Sequence, residues 1–240
     1  MGDTWEEPIK IMPVEQETMD VPDIVDPRLP QPPFRWSIVG SSGSGKTVMV
    51  SNLLSRSELY RGVFDRIYVF SPTAKTDPAW TILGLNEDRV YTSYSDELFA
   101  QVIREVRQNR DKGWMSLIVF DDLAGDSAIY SQNMTTPVMR YLMRARHDFV
   151  SMLFISQDLK LLPKKLRGQM TGWSLFHPPT KADSVDFAKQ LGVGTDEKSI
   201  TQMINVSTSK RFGFFHATWR NGGWVFSIGF ESRLDPADFA

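Results

Sequence analysis

Apolar positions along the chain keep two alternating rhythms. In FRWSIVG (34–40), RIYVFSP (66–72), RVYTS (89–93), SLIVFDD (116–122), VSMLFISQ (150–157) and WSLFHP (173–178) they cluster into short runs that predict β-strands. Between these runs, TVMVSNLLSRS (47–57), DELFAQVIREVRQN (96–109) and TTPVMRYLMRARH (135–147) space their apolar residues three or four apart, which predicts helices. Alternation of this kind is the mark of a mainly parallel sheet covered on both faces. Toward the C-terminus, RFGFFHATW (211–219) and WVFSIGF (224–230) flank Asn221, Gly222 and Gly223, a turn signal that predicts an antiparallel hairpin at the sheet edge.

The first strand runs directly into Gly40-Ser41-Ser42-Gly43-Ser44-Gly45-Lys46-Thr47, and a helical pattern follows. This is G-x-x-x-x-G-K-[ST] in its required strand and helix context. Glycines let successive backbone N–H groups turn inward around phosphates, and the helix N-terminus adds the positive end of its dipole. Lys46 is placed to reach the β and γ phosphates of ATP, and Thr47 to put its hydroxyl on Mg²⁺. The fold expected is therefore a P-loop NTPase, a three-layer α/β/α arrangement with a mainly parallel central sheet.

SLIVFDD delivers two carboxylates from the end of a buried strand. Asp121 is the candidate Mg²⁺ ligand, and Asp122 the group that orients or deprotonates an attacking water. A second acid beside the metal ligand favours hydrolysis over a nucleotide switch. Gln157 ends the next buried strand, where its amide could touch both the water and the γ phosphate; a glutamine in that position is also readily satisfied by nearby backbone.

Charge changes this picture at two places. Residues 1–33 hold eight acidic and two basic side chains with seven of the fourteen prolines, so they carry −6 of a net −2 and leave +4 on the remainder. Such a segment resists helix and central strand, which predicts an extended acidic arm over 1–33 and one domain over 34–240. Cations gather between the later elements. Arg140, Arg144 and Arg146 stand near the end of a predicted helix, where the dipole alone would favour them, and where an arginine finger into a neighbouring nucleotide site is the functional alternative. Lys160, Lys164, Lys165 and Arg167 follow Gln157, either as a solvated basic turn or as a loop coupling hydrolysis to a polyanion. The absence of cysteine excludes disulfides and thiolate metal sites. No apolar run is long enough for a membrane span, and an acidic N-terminus argues against secretion.

The combination PFRWSIVGSSGSGKT, LIVFDD, RARH, FISQ and LPKKLRGQMTGWSLF, over about residues 33–176, resembles the poxvirus-type virion DNA-packaging ATPases of the FtsK/HerA superfamily. The resemblance implies an ATP-hydrolysing motor that translocates double-stranded viral DNA into a preformed capsid, acting as a homo-oligomeric ring of five or six subunits at the packaging vertex, in the virion or at the host-cell site of assembly. It implies Walker A at Gly40 to Thr47, Walker B at Asp121 and Asp122, a sensor at Gln157 and a trans-acting arginine at Arg146. The basic residues 160–167 are then the candidate DNA contacts. Asp122 stands where many relatives of the superfamily have Glu. A cellular or conjugative translocase of the same superfamily, a small P-loop kinase and a non-hydrolysing scaffold are the alternatives.

Overall fold

The structure, a computed structural model, describes residues 26, 28–123, 129–130, 135–178, 180–191 and 195–239. Most of the expected acidic arm, residues 1–25, lies outside the described residues.

One nine-stranded sheet carries the fold, in the order β3-β2-β4-β5-β1-β6-β7-β8-β9. Its strands are β1 (Arg35–Val39), β2 (Arg66–Phe70), β3 (Val90–Tyr91), β4 (Ser116–Asp121), β5 (Val150–Ser156), β6 (Gly172–Phe176), β7 (Phe214–Arg220), β8 (Gly223–Ile228) and β9 (Ser232–Leu234). The first six are parallel, and β7, β8 and β9 continue the sheet antiparallel. Helices are α1 (Lys46–Ser55), α2 (Pro78–Thr81), α3 (Asp96–Arg110), α4 (Pro137–Leu142), α5 (Lys164–Arg167), α6 (Lys181–Leu191) and α7 (Glu197–Ser207).

Pleating sorts the apolar residues of each strand between two cores. In β4, Leu117 and Val119 face Val50 and Leu53 of α1 and Trp80 of α2, whereas Ile118 and Phe120 face α3, α4, α6 and α7. Both faces are covered, so the three layers expected from the alternating pattern are present. Phe70, Phe120 and Phe154 sit directly opposite one another on β2, β4 and β5 and stack with centroids 5.3 Å apart, fixing the register of the three strands.

Several elements differ from expectation. The helix predicted over 135–147 stops at Leu142, and Ala145–Asp148 form a separate 3₁₀ turn. The break has a cause: Asp148 is buried and ion-paired to Arg110 and Arg107 of α3, and Phe149 takes a left-handed backbone that ends the turn. The strand predicted at 89–93 is only two residues long. Helices α6 and α7 and strand β9 were not foreseen; α6 buries Asp183 and Ser184, which blurs its apolar stripe.

Residues just before β1 pack onto the body. Leu29 is wholly buried, and Tyr60 donates its hydroxyl proton to the Pro30 carbonyl at 2.7 Å. His216 of β7 completes this seam. Its Nε2–H donates to the Arg28 carbonyl at 2.7 Å, while Nδ1 lies 2.9 Å from Ser174 Oγ, which itself accepts from Trp36 Nε1. A carbonyl can only accept, so the neutral Nε2–H tautomer is the one that fits.

Burial pushes the His216 imidazole down to about 4 from its usual 6.5. Between those values the unfolded chain takes up a proton that the folded site refuses. The contribution is fully present above pH 6.5 and is lost as pH falls toward 4, at up to about 1.4 kcal/mol per unit. Urea unfolding should show wild type losing about 2 kcal/mol more than His216→Gln between pH 7 and pH 5; equal losses would contradict the buried neutral imidazole. A second expectation concerns Gly40, where a Cβ would lie 2.6 Å from Phe176 Cβ and 2.9 Å from Ser44 Oγ. Gly40→Ala should lower stability by about 1–3 kcal/mol. Gly168→Ala, whose methyl meets nothing closer than 3.6 Å, should change it by less than about 0.5 kcal/mol in the same melt.

Candidate active site

Parallel pairing brings the carboxyl ends of β1, β4 and β5 side by side, with Val39 opposite Ser156 and Asp121 opposite Ile155. Ligands in open α/β sheets bind at such ends. Here the chain leaves β1 through Gly40, whose N–H donates to the Ser156 carbonyl at 3.1 Å, and turns through Gly43 and Gly45 at φ of +74° and +100°. Gly45 caps α1, and the first helical bond runs from Met49 N–H to its carbonyl. Those two left-handed positions are what glycine is needed for, since an L side chain there costs about 1–2 kcal/mol.

Lys46 is buried and its ammonium donates to the carbonyls of Gly40 and Ser41 at 2.7 and 2.9 Å. Burial lowers its pKa, and the carboxylates of Asp122 and Asp121 partly restore it. Ser44 Oγ is buried without a hydrogen-bond partner among the described residues, an orphaned donor within the loop. The loop, the start of α1, Thr73, Asp77 and both acids line a cavity of about 390 Å³.

The two acids occupy different environments. Asp121 is 4% exposed, and its Oδ2 accepts from Ser71 Oγ at 3.0 Å and Trp80 Nε1 at 2.9 Å. Desolvation raises its pKa, while the two donors oppose that shift by holding the ionised form. Asp122 is exposed and left-handed at φ +53°, so the chain swings its carboxylate off the strand axis into the cavity mouth. There Gln157 Nε2 donates to both carboxylate oxygens at 2.8 and 2.9 Å. Gln157 and Asp122, separated by 35 residues, thus act as one polar unit.

The donor set suits a hard divalent cation shared with phosphates. Thr47 and Asp121 border the same cavity, and among the described residues no group of three or more His, Asp or Glu forms a cage of its own. Oxygen ligands from one hydroxyl and one carboxylate, completed by phosphate and water, are what Mg²⁺ prefers.

Other expected site residues lie elsewhere. Arg146 precedes β5, whose far end carries Gln157, so about 20 Å of strand separates it from the phosphate loop of its own chain. It sits beside Arg35 at the start of β1, where the like charge adds to burial in lowering the Arg35 pKa. Arg140 Nε donates to the Thr135 carbonyl, and Arg144 is exposed. The four cations after Gln157 are spread out: Lys160 is ion-paired to Asp183 at 2.7 Å, Arg167 is half-buried with its pKa lowered by desolvation, and Lys164 and Lys165 are exposed on α5. Sequence reasoning passed over Ser71, Trp80 and Phe212. Ser71 follows a strand end, the signal that could have found it; the other two carry none.

No helix among the described residues is long and apolar enough to cross a membrane. The fold is similar to the DNA-packaging ATPase B204 from Sulfolobus Turreted Icosahedral Virus, with a TM-score of 0.61 at 15% identity over 81% of this chain and 97% of that one. B204 from Sulfolobus turreted icosahedral virus 2 in complex with ATP-gammaS aligns with a TM-score of 0.56, also at 15% identity, over 82% of this chain and 97% of that one. At that identity the likeness establishes the P-loop fold. In sequence, DNA packaging protein OPG160 of Vaccinia virus (strain Copenhagen) is 25% identical over 186 residues, covering 75% of this chain and 66% of the relative. The Monkeypox virus protein of the same name is 26% identical over 188 residues, covering 75% and 59%. The chain thus spans about 59–66% of the length of these curated relatives. The sequence model of the family described as "Poxvirus A32 protein" matches residues 25–213, so that the six parallel strands, the phosphate loop and both acids fall within it while β7, β8 and β9 lie beyond it, and the chain belongs to that family.

Proposed function

We propose that this chain is an ATP-hydrolysing motor subunit that moves double-stranded viral DNA into a preformed capsid. The observation that carries the hydrolytic part is the Asp122–Gln157 pair at the mouth of the phosphate-loop cavity, a polar unit with no structural task in the core. The packaging part is supported by family membership and by relatives named DNA packaging proteins.

In this reading N–H groups of the loop beyond Gly40, whose own N–H is held by the Ser156 carbonyl, and the α1 N-terminus receive the phosphates. Lys46 exchanges its two carbonyl partners for β and γ oxygens. Thr47 and Asp121 would hold Mg²⁺, which when bound neutralises charge on those oxygens. Ser71 and Trp80 fix the Asp121 carboxylate. Asp122 orients the attacking water, and Gln157, bonded to it, follows γ-phosphate loss. Arg146 lies too far from its own cavity to act there, so its role is across a subunit boundary in a ring. Exposed Lys164 and Lys165 are the DNA contacts, with capsid and packaging vertex as further partners at the site of virion assembly.

ATP turnover measured with and without linear double-stranded DNA tests this directly: a rise with DNA is expected, and turnover absent under both conditions would sink the reading. Lys46→Ala should remove most turnover with circular dichroism unchanged. Asp122→Asn should keep nucleotide affinity while turnover falls about 10²–10⁴-fold. An equal loss of affinity in Asp122→Asn and Asp121→Asn would contradict the division of labour.

Subunit mixing tests Arg146. Arg146→Ala keeps an intact phosphate loop and Lys46→Ala keeps the arginine, so mixed oligomers contain interfaces that join a working loop to a working finger. A finger contributes about 10³-fold or more. Activity of the mixture above that of either variant is expected; a mixture as inactive as its parts, in oligomers shown to be mixed, would assign Arg146 a structural role.

A further inference from the structure

Hydroxyl groups just past the end of β2 form a chain whose proton directions are fixed by Asp121. Its Oδ2 accepts from both Ser71 Oγ and Trp80 Nε1, at 3.0 and 2.9 Å. An ionised carboxylate can only accept, so the Ser71 proton is committed to Asp121 and the Ser71 oxygen keeps two lone pairs with nothing left to donate. Thr73 fills both. Its N–H donates to Ser71 Oγ at 3.4 Å, and its hydroxyl, 3.3 Å from the same oxygen, must be the donor of that pair. With its own proton spent, the Thr73 hydroxyl has only acceptor lone pairs to offer the phosphate-loop cavity that the residue lines. The residue is exposed, yet its backbone is pinned: its carbonyl accepts from Thr76 N–H at 2.9 Å, Asp77 N–H at 2.8 Å and Thr76 Oγ1 at 3.2 Å.

Both donors to Asp121 take the same oxygen, so among the described residues Oδ1 is the one left to a cation. Mg²⁺ held by one carboxylate, one hydroxyl and phosphate oxygens keeps several of its waters. A metal-bound water has its lone pair on the cation and presents protons, so it needs acceptors in the cavity wall. The strand order sets which acceptor serves which water. Strand β2 lies next to β4 on the flank away from β5, so the loop after β2 reaches Asp121 from the side opposite Gln157. The Asp122–Gln157 pair is placed for the attacking water, whereas Thr73 borders the same cavity from the other flank of the metal acid. We propose that Thr73 is a positioning residue that accepts a hydrogen bond from a water on the bound Mg²⁺ and, through Ser71, ties that water to the orientation of Asp121. This rests on the nucleotide and metal reading of the cavity above and adds to it a residue to which that reading gives no task.

Metal dependence of binding, rather than turnover, is the readout. Binding of a fluorescent, non-hydrolysable ATP analogue to the full chain is titrated with Mg²⁺, and repeated in EDTA, for wild type, Thr73→Val and Thr73→Ser. Loss of a group that holds a metal's bound water predicts that Thr73→Val raises the half-saturating Mg²⁺ concentration about tenfold, that Thr73→Ser stays within about threefold of wild type, and that affinity in EDTA changes less than about twofold in both. An unchanged Mg²⁺ requirement in Thr73→Val would overturn the proposal. An equal rise in Thr73→Ser would do the same, because the hydroxyl would then not be what matters. So would weakening already present in EDTA, because Thr73 would then support the nucleotide site as a whole. Failure of the underlying reading looks different: wild type would not bind the analogue, or would bind it alike with and without Mg²⁺, and Asp121→Asn would change nothing. Valine matches threonine in shape and the position is exposed, so both variants are expected to fold, and circular dichroism checks it.

Discussion

Parallel pairing of β5 with both β4 and β1 aligns three strand ends, and the polar groups that line the cavity hang from those ends. A one-residue slip in either ladder would turn every side chain to the opposite face. Register is therefore held from inside the sheet, by the stacked Phe70, Phe120 and Phe154 and by apolar residues that fill both cores. The phosphate loop adds its own lock, since Gly40 lies too close to Phe176 to carry a side chain. Packing thus sets where Lys46, Asp121, Asp122 and Gln157 stand before any ligand arrives.

That placement carries an electrostatic cost, which the local chemistry offsets. Burying Lys46 and Asp121 near each other disfavours both charged forms, as their opposed pKa directions show. Loop carbonyls receive the ammonium, and Ser71 and Trp80 receive the carboxylate. Triphosphate and cation binding would replace the first set of partners while leaving the second in place, so the acid stays oriented through a cycle. Asp122 and Gln157, by contrast, are exposed and are held by each other.

The two ends of the sheet are built differently. The carboxyl end is a cavity lined by polar groups. The opposite end carries Arg35 and Arg146 side by side, with Arg107 and Arg110 ion-paired to buried Asp148 nearby. Burial and the like charge of Arg146 both disfavour the charged form of Arg35, and an anionic partner would favour it. The segment around Leu29 and Pro30 closes the sheet flank through His216 and Tyr60 and ties the β6–β7 pairing to residues that precede β1.

Local physics determined much of this in advance. The run GSSGSGKT is readable because phosphate binding needs consecutive residues in one turn, and LIVFDD because a strand buried on both faces must be apolar until it ends. The parallel core and the terminal antiparallel strands follow from the same reasoning, since a two-residue turn and a crossover have different sequence demands. What tertiary structure alone decided is which distant residues meet. Trp80 comes to Asp121, Gln157 to Asp122 and Phe212 to Gly45 through strand order and helix packing, which no local period encodes. The predicted helix over 135–147 broke for the same reason: its sequence permits the helix to continue, but the ion pairs of Asp148 with Arg107 and Arg110 on another helix end it sooner. Contacts between residues close in sequence leave a pattern in it; contacts across the fold do not.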